Sequence, residues 1–308
     1  MVEQNKDSSV SIAKSILGDK AQLDYSIAKF TTYKVGGNAS LFLEVNTIED
    51  LKLVHKAISA SDIEVLVIGK GSNMLISDDG FDGLAILMGE GFSSFDIEQN
   101  RIKAGASLAM PVLARRSVAN WFQGLEWAVG IPGSVGGGVK MNAGGHGSQI
   151  SSHLVNAAVF DLKEGHLYNL SNSNLDFSYR HSCLLSHQVV CWAEFEVEKG
   201  DKDQGEGLIS EIVHWRRTNQ PGGQNAGSVF TNPPGESAGK LIELAGCKGM
   251  EFRSAQVSEK HANFIQSSPN GSSKDIASLM EIVSNEVEKK YNIKLIPEVK
   301  LVGFKDSK

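Results

Sequence analysis

Between Gly130 and Gly147 the chain reads Gly-Ile-Pro-Gly-Ser-Val-Gly-Gly-Gly-Val-Lys-Met-Asn-Ala-Gly-Gly-His-Gly, eight glycines in eighteen residues. Glycine at that density weakens a helix or a strand, because each one gives up extra backbone freedom on folding. Such a run is kept where backbone must approach something closely or turn through positive φ. Ile131, Val135, Val139 and Met141 are interleaved, which separates it from a flexible Gly/Ser linker. Amide N–H groups in such turns make an anion cradle suited to a dinucleotide pyrophosphate. A tight buried loop without a ligand accounts for the glycines equally well. A second segment, Gly69-Lys-Gly-Ser-Asn73, follows the apolar run Val65–Ile68. Small residues directly after a buried strand put amides at the carboxyl end of a sheet, where phosphates are commonly held. The segment lacks both the Gly-x-x-x-x-Gly-Lys-Ser/Thr and the Gly-x-Gly-x-x-Gly spacing, so a plain turn remains its alternative.

Elements to position these loops are legible on either side. Residues 1–24 form a weakly structured or helical lead-in. A strand is expected at Leu41–Val45, and Thr47 with Asp50 matches a capping box. The stripe Leu51, Val54, Ile58 then marks a helix. With the buried strand at Val65–Gly69 these make a β-α-β unit. Strands are expected at Met74–Ile76, Leu84–Met88 and Ile102–Ala106, then a helix capped by Ser107 and running to Trp121. Further strands follow at Ala157–Leu162, His166–Leu170 and Val189–Val197; the last alternates Cys191, Ala193, Phe195 against Trp192, Glu194, Glu196. Helical pieces are expected at Leu208–Trp215, Ser237–Ala245 and Asp275–Tyr291, and strand-like runs around Ser258–Ala262. In the terminal alternating strand Leu295–Gly303, Val299 and Leu301 should share one face, with Glu298 and Lys300 on the other.

The totals bound the class. A chain of 308 residues suggests two domains. Pro221-Gly222-Gly223 is the strongest linker signal, so a boundary is placed near 221. The net charge of −6, without a long basic cluster, argues against a nucleic-acid binder. Cys183, Cys191 and Cys247 lack metal-ligand spacing, and an odd number disfavours a disulfide framework, so no metal and a reducing compartment are expected. The polar N-terminus has no apolar signal core, and no apolar run approaches the ~20 residues of a membrane span, so the expectation is cytoplasmic.

Gly69-Lys-Gly-Ser-Asn-Met-Leu-Ile, the Gly130–Gly147 stretch, Tyr179-Arg-His-Ser182, Gly227-Ser-Val-Phe-Thr-Asn-Pro233, Gln256-Val-Ser-Glu-Lys-His-Ala-Asn-Phe264 and Pro297-Glu-Val-Lys-Leu-Val-Gly303 occur in one order. Together they resemble the UDP-N-acetylmuramate dehydrogenase family, flavoprotein reductases also called UDP-N-acetylenolpyruvoylglucosamine reductases. The resemblance covers roughly Phe30–Phe304. It implies an α+β fold: a two-part FAD-binding module of the vanillyl-alcohol-oxidase type over 25–220, split near 90, and a smaller α+β substrate domain over 221–308. It implies FAD held without a covalent bond, with NADPH as co-substrate and a UDP sugar as substrate. Cofactor contacts would come from Gly69, Gly71, Ser72, Asn73, Gly130, Pro132, Gly133, Ser134, Gly136, Gly137, Asn142, Ala143 and Gly144. His146 would be a loop residue near the cofactor.

The implied chemistry passes a hydride from reduced flavin to the enolpyruvyl β-carbon. The resemblance casts Arg180 as the electrophilic partner of the substrate carboxylate, Ser228 as the proton donor and Glu298 as the group that completes the set. Tyr179, Asn232 and Lys260 are implied substrate contacts. Taken singly, Arg180 reads as a surface ion-pair residue, Ser228 as a turn residue and Glu298 as a solvated glutamate. The family's early Asn-Thr is here Thr31-Thr32 before Tyr33, which puts one polar flavin contact in question. The stretch between Arg180 and Ser228 is short for the family's tyrosine-bearing loop, which implies the subclass without it. The rival readings are a flavin oxidase of the same superfamily, acting on an alcohol or sugar acid, and a non-catalytic flavin-binding protein. The first would need no UDP-binding domain, and the second predicts loss of Arg180, Ser228 or Glu298. The sequence does not reveal the oligomeric state.

Overall fold

The computed structural model describes residues 2–304. In chain order it contains α1 (Val2–Leu17), β1 (Gln22–Ser26), β2 (Asn38–Val45), α2 (Ile48–Ser61), β3 (Val65–Ile68), β4 (Met74–Ile76), β5 (Phe81–Met88), β6 (Phe95–Glu98) and β7 (Arg101–Gly105). Next come α3 (Met110–Ala119), β8 (Phe122–Gln123), α4 (Val135–Lys140), β9 (Gly144–Gly145), β10 (Ser148–Gln149), β11 (Leu154–Asp161), β12 (His166–Ser171), β13 (Gln188–Glu196) and β14 (Glu198–Lys199). The chain finishes with α5 (Lys202–Asn219), α6 (Ala238–Leu244), β15 (Glu251–Phe252), β16 (Ala255–Val257), β17 (Ile265–Ser267), α7 (Ser273–Tyr291) and β18 (Lys300–Val302). These elements pack as two compact units. The first takes the chain up to Tyr25, Ser40–Lys70 and Asp82–Trp215; the second takes Ser26–Ala39, Gly71–Phe81 and the chain from Arg216.

The first unit holds two sheets. One has the strand order β1-β2-β5-β3. β5 separates β2 from β3, so the expected β-α-β unit closes on strands that are not neighbours. The run Leu84-Ala85-Ile86 is fully buried, as suits a strand covered on both faces, and β5 pairs in parallel with β3. Thr47 Oγ1 accepts from Asp50 N at 3.1 Å while Asp50 Oδ2 accepts from Thr47 N at 3.0 Å, the reciprocal cap that starts α2.

The other sheet of this unit is antiparallel, in the order β12-β11-β13-β7-β6. In β13, Cys191, Ala193 and Phe195 are buried and Trp192 and Glu194 are half-buried, which keeps the expected alternation. α3 begins later than Ser107. Ser107 Oγ instead donates to Gly89 O at 2.7 Å, and the helix starts after Ala109 with Pro111 in its first turn. Proline suits that turn because its missing N–H has no helical partner there.

The second unit has its own core, in which Phe230, Ala238, Ile242 and Val257 pack with Ile276, Leu279, Val283 and Val287 of α7. Beside them runs the antiparallel sheet β15-β16-β17. The expected strand around Ser258–Ala262 is a turn. Ser258 Oγ accepts from Lys260 N at 3.1 Å, a local bond that competes with a strand ladder. β18 pairs in parallel with β4. Val299 and Val302 are buried, whereas Leu301 is 41% exposed, so Val299 and Leu301 do not share a face. Glu298 N and Val299 N both donate to Val229 O, at 2.8 and 3.4 Å, and this irregularity shifts the two-residue phase before β18 begins.

Candidate active site

In the first unit Gly69 meets the Gly130–Gly147 stretch. A Cβ on Gly69 would lie 2.5 Å from Ser134 Oγ. Ser134 is the N-cap of α4, and its hydroxyl accepts from Gly137 N. Most glycines here are demanded by packing. A Cβ on Gly136 would stand 2.9 Å from Ala106 Cβ, and one on Gly130 would stand 2.5 Å from the His146 ring. That ring packs edge-on to Trp215, 5.2 Å between centroids, so His146 fills the space over Gly130. Gly133 takes φ +125° and its carbonyl accepts from Met110 N at 3.0 Å. Ala143 is tied at both ends: its N–H donates to Gly138 O and its carbonyl accepts from Ile150 N. Gly137 differs. It is exposed, and an added Cβ would have only Ser134 Oγ near it, at 3.6 Å. Pro132 is likewise exposed.

Arg180 belongs to the same unit and is held on the same stretch. Its backbone has φ +57°, uncommon for a side chain of that size. Its Nη2 donates to Gly144 O at 3.0 Å, and its guanidinium lies 5.1 Å from the ring centre of Tyr179, a residue 53% exposed. The turn that carries Arg180 closes through Ser178 N to His181 O and His181 N to Ser178 O. Asn142 is buried at 1% exposure, and both ends of its amide are engaged. Nδ2 donates to Ser178 O at 2.9 Å, and Oδ1 accepts from Ser151 N at 3.0 Å. After the turn, Ser182 Oγ donates to Lys140 O at 2.7 Å, and Lys140 Nζ donates to Leu185 O at 2.7 Å.

In the second unit Ser228 and Glu298 lie on neighbouring segments. Phe230 and Pro297 face each other in an isolated antiparallel bridge, and Glu298 N donates to Val229 O at 2.8 Å. Gly227, at φ +75°, turns the chain just before Ser228. Asn263 clamps this segment: Nδ2 donates to Phe230 O at 2.8 Å and Oδ1 accepts from Phe230 N at 3.0 Å. Asn263 falls inside the Gln256–Phe264 motif without an expected role; its place between the apolar Ala262 and Phe264 was the available signal. Asn73 Nδ2 donates to Glu298 O at 3.0 Å and Asn73 O accepts from Lys300 N at 3.1 Å, so Asn73 brackets the Glu298 segment. Gly71, at φ +57°, sits where a Cβ would collide with Phe30 O, and Ser72 beside it is half-buried. Asn232 Oδ1 accepts from Ala238 N at 3.0 Å, and Lys260 Nζ donates to Arg217 O at 2.7 Å. Thr32 Oγ1 is buried with no hydrogen-bond partner among the described residues.

Residues 39–171 match the family described as FAD binding domain, and residues 218–302 match the C-terminal domain of UDP-N-acetylenolpyruvoylglucosamine reductase. A reductase of that name from Clostridioides difficile is 34% identical over 301 residues, covering 97% of this chain and 99% of the relative. This chain belongs to the UDP-N-acetylenolpyruvoylglucosamine reductase family. The crystal structure of the reductase from Thermus caldophilus superposes with a TM-score of 0.79 at 31% identity, over 92% of this chain and 98% of that one. A berberine-bridge-enzyme-like protein of Physcomitrella patens, 13% identical with a TM-score of 0.56 over 90% of this chain and 88% of that one, shares the fold. The expected α+β class with a flavin-binding module is thereby borne out.

Two observations fit a reductase chain of this family to FAD. The α4 turn keeps a glycine at 137 where an added Cβ would meet no protein atom nearer than Ser134 Oγ at 3.6 Å. The buried Thr32 hydroxyl has a hydrogen bond left to make.

Proposed function

We propose that this chain reduces the enolpyruvyl group of UDP-N-acetylenolpyruvoylglucosamine to give UDP-N-acetylmuramate, with FAD as cofactor and NADPH as co-substrate, in the cytoplasmic stage of bacterial peptidoglycan synthesis. The observation that supports it most is the Arg180 Nη2 to Gly144 O hydrogen bond of 3.0 Å, which ties a carboxylate-binding cation to the glycine-rich stretch of the FAD binding domain. Among the described residues no helix is long and apolar enough to cross a membrane.

FAD, when bound, supplies the relay by which a hydride from NADPH reaches the enolpyruvyl β-carbon. The chain's own residues manage the charge and the proton. Arg180 pairs with the substrate carboxylate and stabilises the negative charge that develops on the adjoining α-carbon, as a planar guanidinium does well. Ser228 gives the hydroxyl proton to that α-carbon, so each end of the former double bond gains one hydrogen, and the serine regains its proton from solvent. Glu298 orders hydrogen bonds around the developing enol. The backbone and small side chains of Gly69 and of Gly130–Gly137 hold the pyrophosphate. Tyr179, Asn232 and Lys260 contact the nucleotide or the sugar.

The test is spectroscopic. The purified protein should be yellow, bleach with NADPH without oxygen, and recover its colour with the enolpyruvyl UDP sugar but not with UDP-N-acetylglucosamine. Acid precipitation should leave the colour in the supernatant. A protein that binds no FAD, or recovers equally with both sugars, would sink the proposal.

A further inference from the structure

The family resemblance implies that Asn142 contacts the cofactor; in the fold its side-chain amide bonds to two backbone groups. The amide is 1% exposed, donates to Ser178 O at 2.9 Å and accepts from Ser151 N at 3.0 Å. Asn142 takes φ +41°, a conformation asparagine tolerates better than most residues. Ser178 O is the carbonyl that closes the turn around Arg180, since it also accepts from His181 N at 3.2 Å. Two residues beyond Asn142 lies Gly144, whose carbonyl receives the Arg180 guanidinium at 3.0 Å. Residues 142–144 therefore hold both the backbone that carries Arg180 and the far end of its side chain.

We propose that Asn142 is a positioning residue for Arg180, fixing the Ser178–His181 turn through its buried amide. The proposal rests on the reading of Arg180 as the partner of the substrate carboxylate. The left-handed backbone at Arg180 makes the device necessary, because a non-glycine residue persists there only when its surroundings over-determine it. The ties from Ser182 and Lys140 secure the chain after the turn. Asn142 reaches the turn from thirty-six residues away in the chain, through its side-chain donor to Ser178 O.

The test uses Asn142→Asp, which keeps an acceptor for Ser151 N and removes the donor to Ser178 O, with Asn142→Gly as a second variant that preserves positive φ. Three readings are taken on each: amide hydrogen exchange over residues 178–182 in the FAD-free protein, FAD affinity, and the rate of substrate-driven reoxidation, alone and combined with Arg180→Ala. The expected result is faster exchange at the turn, FAD affinity within error of the unaltered protein, and reoxidation slowed roughly 10- to 100-fold, the scale of a small misplacement of a reacting group. In the Arg180→Ala background the Asn142 change should then add nothing. A loss that persists undiminished in that background, or one that follows a fall in FAD affinity, overturns the proposal in favour of direct cofactor binding. Unchanged exchange at the turn overturns it on structural grounds. If Arg180→Ala alone leaves reoxidation intact, the role of Arg180 fails, and the exchange reading still reports separately on whether Asn142 fixes the turn.

Discussion

Gly137→Ala separates what the fold requires from what the cofactor requires. Gly136, Gly137 and Gly138 follow one another in α4, yet only the flanking two are filled against protein. A Cβ would stand 2.9 Å from Ala106 Cβ at Gly136 and 3.2 Å from Met110 Sδ at Gly138, but 3.6 Å from Ser134 Oγ at Gly137. The last distance is ordinary van der Waals contact, and Gly137 does not take positive φ. Alanine there should leave the FAD-free protein unchanged or stabilise it by up to about 1 kcal/mol, since it removes freedom from the unfolded chain. If the open side faces the cofactor, the added methyl overpacks the holoprotein by about 1–3 kcal/mol. That corresponds to FAD binding weakened roughly 5- to 150-fold. The assay is a flavin fluorescence titration beside thermal melts of the FAD-free protein, with Gly136→Ala as the contrast that should lower the melting temperature before any cofactor is added. Unaltered FAD affinity in a well-folded Gly137→Ala protein would refute the reasoning.

Ser228→Ala should still bleach with NADPH while substrate-driven reoxidation falls about 10²- to 10⁴-fold, the usual range for a general acid; stopped-flow spectroscopy reads both halves, and an unchanged second half removes Ser228 from the role. Thr32→Val should be neutral or slightly stabilising without FAD, because it removes an unpaired buried hydroxyl, and should weaken FAD binding about 2- to 10-fold, one lost hydrogen bond. Asp78 accepts from Ser272 Oγ at 2.6 Å and from the Ser273 and Lys274 amides at 3.0 and 3.2 Å at the start of α7. Burial pushes its carboxyl up, but these hydrogen bonds outweigh it and leave the group below its ordinary value. With the folded value depressed, its stabilisation is present above the unfolded pKa of about 3.9 and is lost as pH falls through the folded one. Asp78→Ala should therefore cost about 0.5–2 kcal/mol at neutral pH and progressively less in acid, measured by urea unfolding at several pH values; a pH-independent difference would contradict it.

The sequence by itself determined the family, the flavin chemistry and the local elements whose signals are short-range. The Thr47–Asp50 cap, the β13 alternation and the apolar face of α7 all rest on neighbours within a few residues, so their periods survive in the linear text. The places where expectation and fold part have long-range causes. Ser107 looked like a helix cap, but Gly89, eighteen residues away, offered its carbonyl instead. Val299 and Leu301 alternate in the text, yet Val229 O receives two successive amides and shifts the phase. β5 enters between β2 and β3 because its apolar residues suit a strand covered on both faces, a choice that no residue of β2, α2 or β3 records.

The glycine-rich stretch shows the division most sharply. Its composition left a ligand cradle and a tight loop equally open. Tertiary structure assigns Gly130, Gly136 and Gly138 to packing against His146, Ala106 and Met110, and leaves Gly137 open. The site residues divide in the same way. Asn142 and Asn73 look alike in their motifs, as asparagines two positions from a glycine. Only the fold shows that one amide binds the Arg180 turn and the other brackets the Glu298 segment, 225 residues distant. A side chain's partner is set by which backbone groups the fold leaves unpaired beside it, and that is decided only when distant segments meet.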